Sequence, residues 1–126
     1  MIAEDYVSFE TAKLLKKKGF DEATIGYYYT ISEIPEKIKF FDSPISIYHS
    51  DGLIGCIQAP TLQMAMKWLR EVHQIHIEIA FNDGYFPVCI STLTNDTIPY
   101  IAMQGKSFKY EEACEAAIKY CLENLI

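Results

Sequence analysis

The chain has 126 residues, half of them hydrophobic, and its 17 acidic against 11 basic residues give a net charge of −6. This length and composition predict one domain over residues 1–126, with a core that needs neither a metal ion nor a disulfide. The negative charge argues against nucleic acid as a partner, because affinity for a phosphate backbone comes largely from Lys and Arg.

No apolar run approaches the roughly 20 residues of a membrane-spanning helix, so no membrane partner is expected. Glu4 and Asp5 precede any apolar stretch, unlike the basic-then-apolar order of a signal peptide. The cysteines form no CxxC pair and lie among apolar or small residues, which predicts buried, reduced thiols in a cytoplasmic protein. They are Cys56, Cys89, Cys114 and Cys121.

The first predicted helix begins after a Ser8 N-cap and ends near Lys18, where Gly19 suits the position just past a helix end. A strand follows over residues 24–31, with alternating residues on its two faces. In it, Tyr28 has two interpretations. It is an ordinary residue of a half-buried strand, which we favour, or it presents a stacking ring to a ligand.

The middle of the first half is predicted with less regular structure. Residues 32–43 show no sustained alternation and are interpreted as a connection. Residues 45–48 and 53–58 then have the form of a hairpin, because Asp51 and Gly52 between them are the residue types that tight primed turns require.

A central helix is predicted to start at Pro60 and Thr61 and to run to about His73. Met64 and Trp68 lie on its flank, outside its apolar stripe. They either pack against a neighbouring helix of the same chain, which we favour, or form a surface for a partner. The stripe itself consists of Leu62, Ala65, Met66, Leu69 and Val72.

Directly after this helix, residues 75–81 alternate as a strand, and a turn at residues 82–84 leads into a second strand over residues 86–91. His76 and Glu78 share one face of the first strand. An acid–base pair can be drawn there, although decoration of a solvent-facing strand is the favoured interpretation. A short strand over residues 100–103 and a last helix over residues 110–125 complete the prediction, with Ala113, Cys114, Ala117, Ile118, Cys121, Leu122 and Leu125 on the apolar face of that helix.

Motifs with a chemical role are missing from the sequence. His73 and His76 straddle the helix-to-strand junction and do not share a helical face, so no metal site is predicted. No GxSxG elbow, Walker loop or GxGxxG loop occurs. The sequence therefore names no catalytic residue and no cofactor.

Several short motifs together resemble a group of small uncharacterised proteins that are common in prophage and mobile regions of anaerobic gut bacteria. The resemblance covers nearly the whole chain and implies one intact domain. It carries over no functional residue, because no activity is assigned to the group. The motifs are Val7-Ser8-Phe9-Glu10, Lys18-Gly19-Phe20-Asp21, Ala59-Pro60-Thr61, Lys67-Trp68-Leu69-Arg70-Glu71, Tyr110-Glu111-Glu112-Ala113 and Ala117-Ile118.

We therefore expect an α+β domain with the order αβββαββα, in which about three helices pack on one face of a mostly antiparallel sheet. The favoured function is that of a small, non-catalytic, acidic protein of phage or mobile-element origin that binds another protein. The alternative is a small-molecule-binding protein or enzyme with a tyrosine-lined cleft, for which Tyr28, His76 and Glu78 are the candidates.

Overall fold

The computed structural model of the protein describes residues 2–30, 37–46, 55–92, 97–98, 107 and 109–126. This part of the chain contains three helices and six strands, and every strand pairing is antiparallel. The predicted α+β class and element order are confirmed. The elements are α1 (Phe9–Lys17), β1 (Thr24–Tyr29), β2 (Lys39–Ile45), β3 (Cys56–Ala59), α2 (Leu62–Val72), β4 (Ile75–Ile79), β5 (Val88–Thr92), β6 (Thr97–Ile98) and α3 (Tyr110–Asn124).

The chain divides into two compact units, Met1–Thr61 and Leu62–Ile126, and each contains one three-stranded sheet. The strands are thus shared between two sheets, where the sequence suggested one. In the first unit the strand order is β2-β1-β3, and in the second it is β4-β5-β6.

Helix α1 begins and ends where the sequence predicts. The Ser8 hydroxyl accepts a hydrogen bond from the Thr11 backbone N–H at 3.2 Å, which satisfies one of the free donors of the first turn. Lys18 caps the other end, and Gly19 follows with a φ of 97°, a conformation that side chains disfavour.

The sheet of the first unit differs from its prediction in two ways. Residues 39–45 form β2, although we interpreted most of them as a connection. In the described part of the hairpin predicted for residues 45–48 and 53–58, the expected pairing is wrong, because β2 and β3 lie on opposite sides of β1. The turn proposed for that hairpin, at Asp51 and Gly52, lies outside the described residues.

Two close contacts fix β1 between its neighbours. A Cβ at Gly26 would lie 2.5 Å from the Ala59 carbonyl oxygen of β3, so only glycine allows this approach. The second contact is made by Gln58, also in β3, whose side chain reaches toward β2. Its amide nitrogen donates to the carbonyls of Glu22 at 2.6 Å and Ile45 at 2.7 Å. The Gln58 side chain therefore ties β3 to β2 across the start of β1.

In the second unit, α2 runs directly into β4 as predicted. Gln74 makes the turn between them with a φ of 58°. The predicted stripe is buried except at its end, where Val72 is 52% exposed and the prediction is wrong. Val72 is the last residue of the helix, two residues before the turn at Gln74. The buried members are Leu62, Ala65, Met66 and Leu69.

The predicted hairpin after α2 is confirmed. Asn82 and Tyr85 exchange both backbone hydrogen bonds, and Asp83 and Gly84 between them have φ values of 50° and 83°, as a type I′ turn requires. At the Ala80–Pro87 pair, the Pro87 carbonyl accepts from the Ala80 N–H at 2.9 Å. Because Pro87 has no N–H, the second hydrogen bond of this pair is absent.

A further strand, β6, pairs with β5, while the strand proposed for residues 100–103 lies outside the described residues. Helix α3 covers the predicted range to within a residue, and α2 and α3 both pack on β4. The predicted apolar face of α3 is buried apart from Leu125, which is half-buried. The buried residues are Ala113, Cys114, Ala117, Ile118, Cys121 and Leu122.

Candidate interaction site

The two faces of β1 have different surroundings, and Tyr28 lies on the buried one. Its side chain is 5% exposed, and its hydroxyl donates to the Val7 carbonyl at 2.7 Å. Its ring meets that of Phe9 edge to face, with centroids 5.6 Å apart. Tyr28 is therefore held in the core beside the first turn of α1, where Phe9 lies. This favours the structural interpretation of Tyr28 over the ligand-stacking one.

Alternation along β1 places Tyr27 and Tyr29 on the opposite face from Tyr28. There Phe41 of β2 stacks on Tyr27 with ring centroids 4.1 Å apart and an angle of 17° between the planes. Tyr29 meets Tyr27 edge to face at 5.4 Å and is 40% exposed. We call Tyr27, Tyr29 and Phe41 the aromatic cluster.

The hydroxyls of the aromatic cluster interact with each other. The oxygens of Tyr27 and Tyr29 are 3.5 Å apart. This hydrogen bond, together with partial burial, raises the pKa of Tyr27 to about 12. The Tyr27 phenol thus stays neutral at physiological pH, and the cluster presents aromatic rings with polar ends.

Cys56 lies beside the aromatic cluster, because it is the register partner of Tyr29. Its side chain is buried, and that burial raises the pKa of its thiol. All four cysteines are free; Cys56, Cys114 and Cys121 are buried and Cys89 is half-buried, as predicted for structural thiols.

A depression of about 610 Å³ lies at the N-terminal end of α1. Among the described residues that line it, Tyr28 is the one tyrosine, and its hydroxyl is already bonded to Val7. The described lining therefore does not form the tyrosine-lined cleft of the alternative hypothesis. The other lining residues are Ser8, Phe9, Glu10 and Lys13.

His76 and Glu78 lie on the exposed face of β4, as predicted. Their partners across the hairpin are Ser91 and Cys89. Residues two apart on a strand are separated by about 6.6 Å, so the two side chains stand side by side on an open surface. Among the described residues, no group of three or more His, Cys, Asp or Glu side chains is arranged to hold a metal ion.

Of the two flank residues of α2, Met64 is half-buried and Trp68 is only 5% exposed. The Trp68 ring meets the His73 ring edge to face at 4.7 Å. A side chain so covered offers almost no area to a partner, which favours the intramolecular interpretation of Trp68.

Sequence reasoning missed the aromatic cluster. Alternation placed Tyr27 and Tyr29 on one face but did not decide which face of β1 is buried. Phe41 lay in a stretch that was interpreted as a connection. A period-two search over residues 39–41 alone would have been too short to identify the strand.

None of the helices in the described ranges has both the length and the apolar character needed to cross a membrane. Comparison of the chain with family models, curated proteins and solved structures finds no match.

Proposed function

We propose that this chain is a non-catalytic protein-interaction domain of phage or mobile-element origin, and that the aromatic cluster is its partner surface. The observation that carries the proposal is the stack of Tyr27 and Phe41 beside the exposed Tyr29, on the sheet face opposite Tyr28. The prophage origin is supported by the resemblance of the short motifs.

The chemistry of the cluster suits a protein partner. Tyr and Phe are enriched in interface cores, because each offers a large contact area and loses few rotatable bonds on binding. The neighbouring rings already hold each other in place, so little further ordering is required when a partner binds.

Exposed aromatic rings on a sheet also stack on the bases of single-stranded nucleic acid. Such sites combine the rings with a positively charged groove, whereas this chain has a net charge of −6. We therefore assign a protein partner to the cluster.

The test compares the proteins captured by the wild type and by a Tyr29→Ser/Phe41→Ser variant from a lysate of the native host, with identification by mass spectrometry. The matched control is Phe81→Ser, because Phe81 is 70% exposed and lies in the other unit. We expect the double variant to lose specific partners that the control retains, with both variants folded by circular dichroism.

Retention of the same partners by the double variant would refute the cluster as the site. An anisotropy titration with a single-stranded oligonucleotide at about 0.15 M salt gives the second arm. Sub-micromolar binding of the oligonucleotide that depends on Tyr29 and Phe41 would contradict the assignment to a protein.

A further inference from the structure

Strand β4 is an edge strand. In the described part of the chain, β5 is the one strand paired with β4. The register is uninterrupted: Ile75 lies opposite Thr92 at one end, and Ile79 lies opposite Val88 at the other. Edge strands of monomeric proteins are commonly protected by charged side chains, above all Lys, by Pro or by a bulge. The β4 sequence IHIEI contains no Lys or Pro and its register has no bulge, which leaves Glu78 as its one carboxylate.

The hairpin hydrogen bonds show which backbone groups point to the open edge. Asn82 exchanges two bonds with Tyr85, and the Ala80 N–H bonds to Pro87. Because hydrogen-bonded pairs alternate in an antiparallel ladder, Glu78 and His76 also direct their backbone groups toward β5. The backbone N–H and C=O groups of Ile75, Ile77 and Ile79 therefore point away from β5, toward the open edge.

The side chains of β4 alternate in the same way between a buried face and an exposed face. Ile75 and Ile77 are 3% and 5% exposed on the face covered by α2 and α3. His76 and Glu78 are exposed on the other face. Residues with edge-directed backbone groups thus have buried side chains, and the exposed face of the strand consists of one imidazole and one carboxylate.

We propose that two copies of this chain pair through β4, antiparallel, about a two-fold axis at Ile77. Ile77 then faces Ile77 of the second copy, and Ile75 faces Ile79, so the residues with edge-directed groups form the hydrogen-bonded pairs. The β4-β5-β6 sheet of one copy and that of the second copy then form one six-stranded sheet. His76 lies opposite Glu78 of the second copy, in a pair without backbone hydrogen bonds, where side chains approach most closely.

The complementarity of His76 and Glu78 favours a second copy of this chain as the partner, and it favours this register. An imidazole donates a hydrogen bond to a carboxylate whether or not it carries a charge, and the two-fold axis creates this pair twice. A shift by two residues would place His76 opposite His76, or Glu78 opposite Glu78. A parallel arrangement in the same alignment would also pair like with like. An antiparallel copy of the same strand is therefore the complement that the His-x-Glu face matches.

The test measures self-association by analytical ultracentrifugation from about 1 μM to about 1 mM for the wild type, His76→Glu and Glu78→His. We expect a wild-type dimer, with a dimer Kd raised about tenfold or more in His76→Glu, where carboxylates oppose each other, and raised less in Glu78→His, because two imidazoles can hydrogen-bond each other. Val72→Glu is the matched control, since it adds one negative charge at a position that is 52% exposed and outside β4.

Two complementation arms separate this pairing from other dimers. A mixture of the two single variants should form a heterodimer, because each carboxylate of the His76→Glu chain then meets an imidazole of the Glu78→His chain. The His76→Glu/Glu78→His double variant should dimerise like the wild type. A wild type that stays monomeric at about 1 mM overturns the proposal. So does a dimer that is insensitive to the single substitutions or is not restored by either complementation arm.

Discussion

The two sheets of this protein share the same plan of three antiparallel strands, and they differ in the side chains on the more exposed face of β1 and of β4. In each of these two strands, most residues of one face are buried. In the first, the other face carries the aromatic cluster. In the second, that face carries His76 and Glu78. The plan alone therefore does not determine the surface chemistry, which depends on which alternate residues of β1 and β4 point away from the helices.

The difference assigns separate roles to the two surfaces. Aromatic rings with a large contact area suit a partner with a different sequence, whereas a strand edge with one donor and one acceptor suits another copy of itself. A loss of self-association without loss of captured partners, or the reverse, would separate the two proposals.

The largest expected effect comes from Trp68→Ala, which tests whether α2 is scaffold. Trp68 is 5% exposed, so truncation should leave a cavity and lower the free energy of unfolding by about 3–5 kcal/mol. Urea unfolding followed by circular dichroism measures the change. The control is Val72→Ala on the same helix, where exposure predicts a change within about 0.5 kcal/mol. A loss below about 1 kcal/mol in Trp68→Ala would show that this side chain is not structural.

An intermediate effect is expected from Gly26→Ala, in the first unit. The new Cβ would lie 2.5 Å from the Ala59 oxygen and 3.0 Å from Tyr6 Cδ1, so β1 and β3 must separate. We expect a loss of about 1–3 kcal/mol by urea unfolding, as for other overpacked sites. Gly19→Ala is the comparison, because its Cβ meets open space and only its φ of 97° opposes the change. Its expected cost is about 1–2 kcal/mol, that of a left-handed conformation in a residue with a Cβ.

Gly26→Ala also tests the prediction that residues 1–126 form one domain. Trp68 is the single tryptophan of the chain and lies in the other unit, so its fluorescence reports on that unit. One domain requires the fluorescence and circular dichroism midpoints to shift together in the variant. An unchanged fluorescence midpoint would instead indicate two units that unfold separately.

The smallest effect is expected just above pH 9, in the core of the second unit. Burial raises the pKa of Cys121 from 9.0 to about 12. The unfolded chain therefore loses this proton first as pH rises, and the stability that the neutral thiol contributes is present below pH 9 and lost between about pH 9 and 12. The urea midpoint should fall more steeply above pH 9 in the wild type than in Cys121→Ala. Equal slopes would show that Cys121 does not contribute.

Local signals in the sequence predicted much of this fold. The Ser8 cap, the turn at Asp83 and Gly84, and the junction at Gln74 depend on a few neighbouring residues, so their chemistry is readable without the rest of the chain. The same holds for the exposure of His76 and Glu78, because alternation in β4 is uninterrupted.

The predictions are wrong where the structure depends on contacts between residues that are distant in the sequence. Asp42, Ser43 and Pro44 interrupt the alternation of β2, and the pairing of β1 with β2 is irregular at that point. The turn-like residues after β2 suggested a local hairpin, yet β1 takes both neighbours by long-range pairing. The aromatic cluster depends on those pairings, so it could not be derived from the sequence alone.

The side chain of Gln58 closes two loops of the chain at once, one reaching 36 residues back to Glu22 and one reaching 13 residues back to Ile45. Loop closure costs entropy that grows only with the logarithm of length, so the shorter loop is nearly as costly as the longer one. Both closures use the hydrogens of one amide nitrogen, which also lies 3.2 Å from the Thr24 hydroxyl oxygen. When one bond forms, the loop that the other must close becomes effectively shorter, so closing both costs less than the sum of the two separate closures. A single neutral side chain thus links the two edge strands of the first sheet across the start of β1.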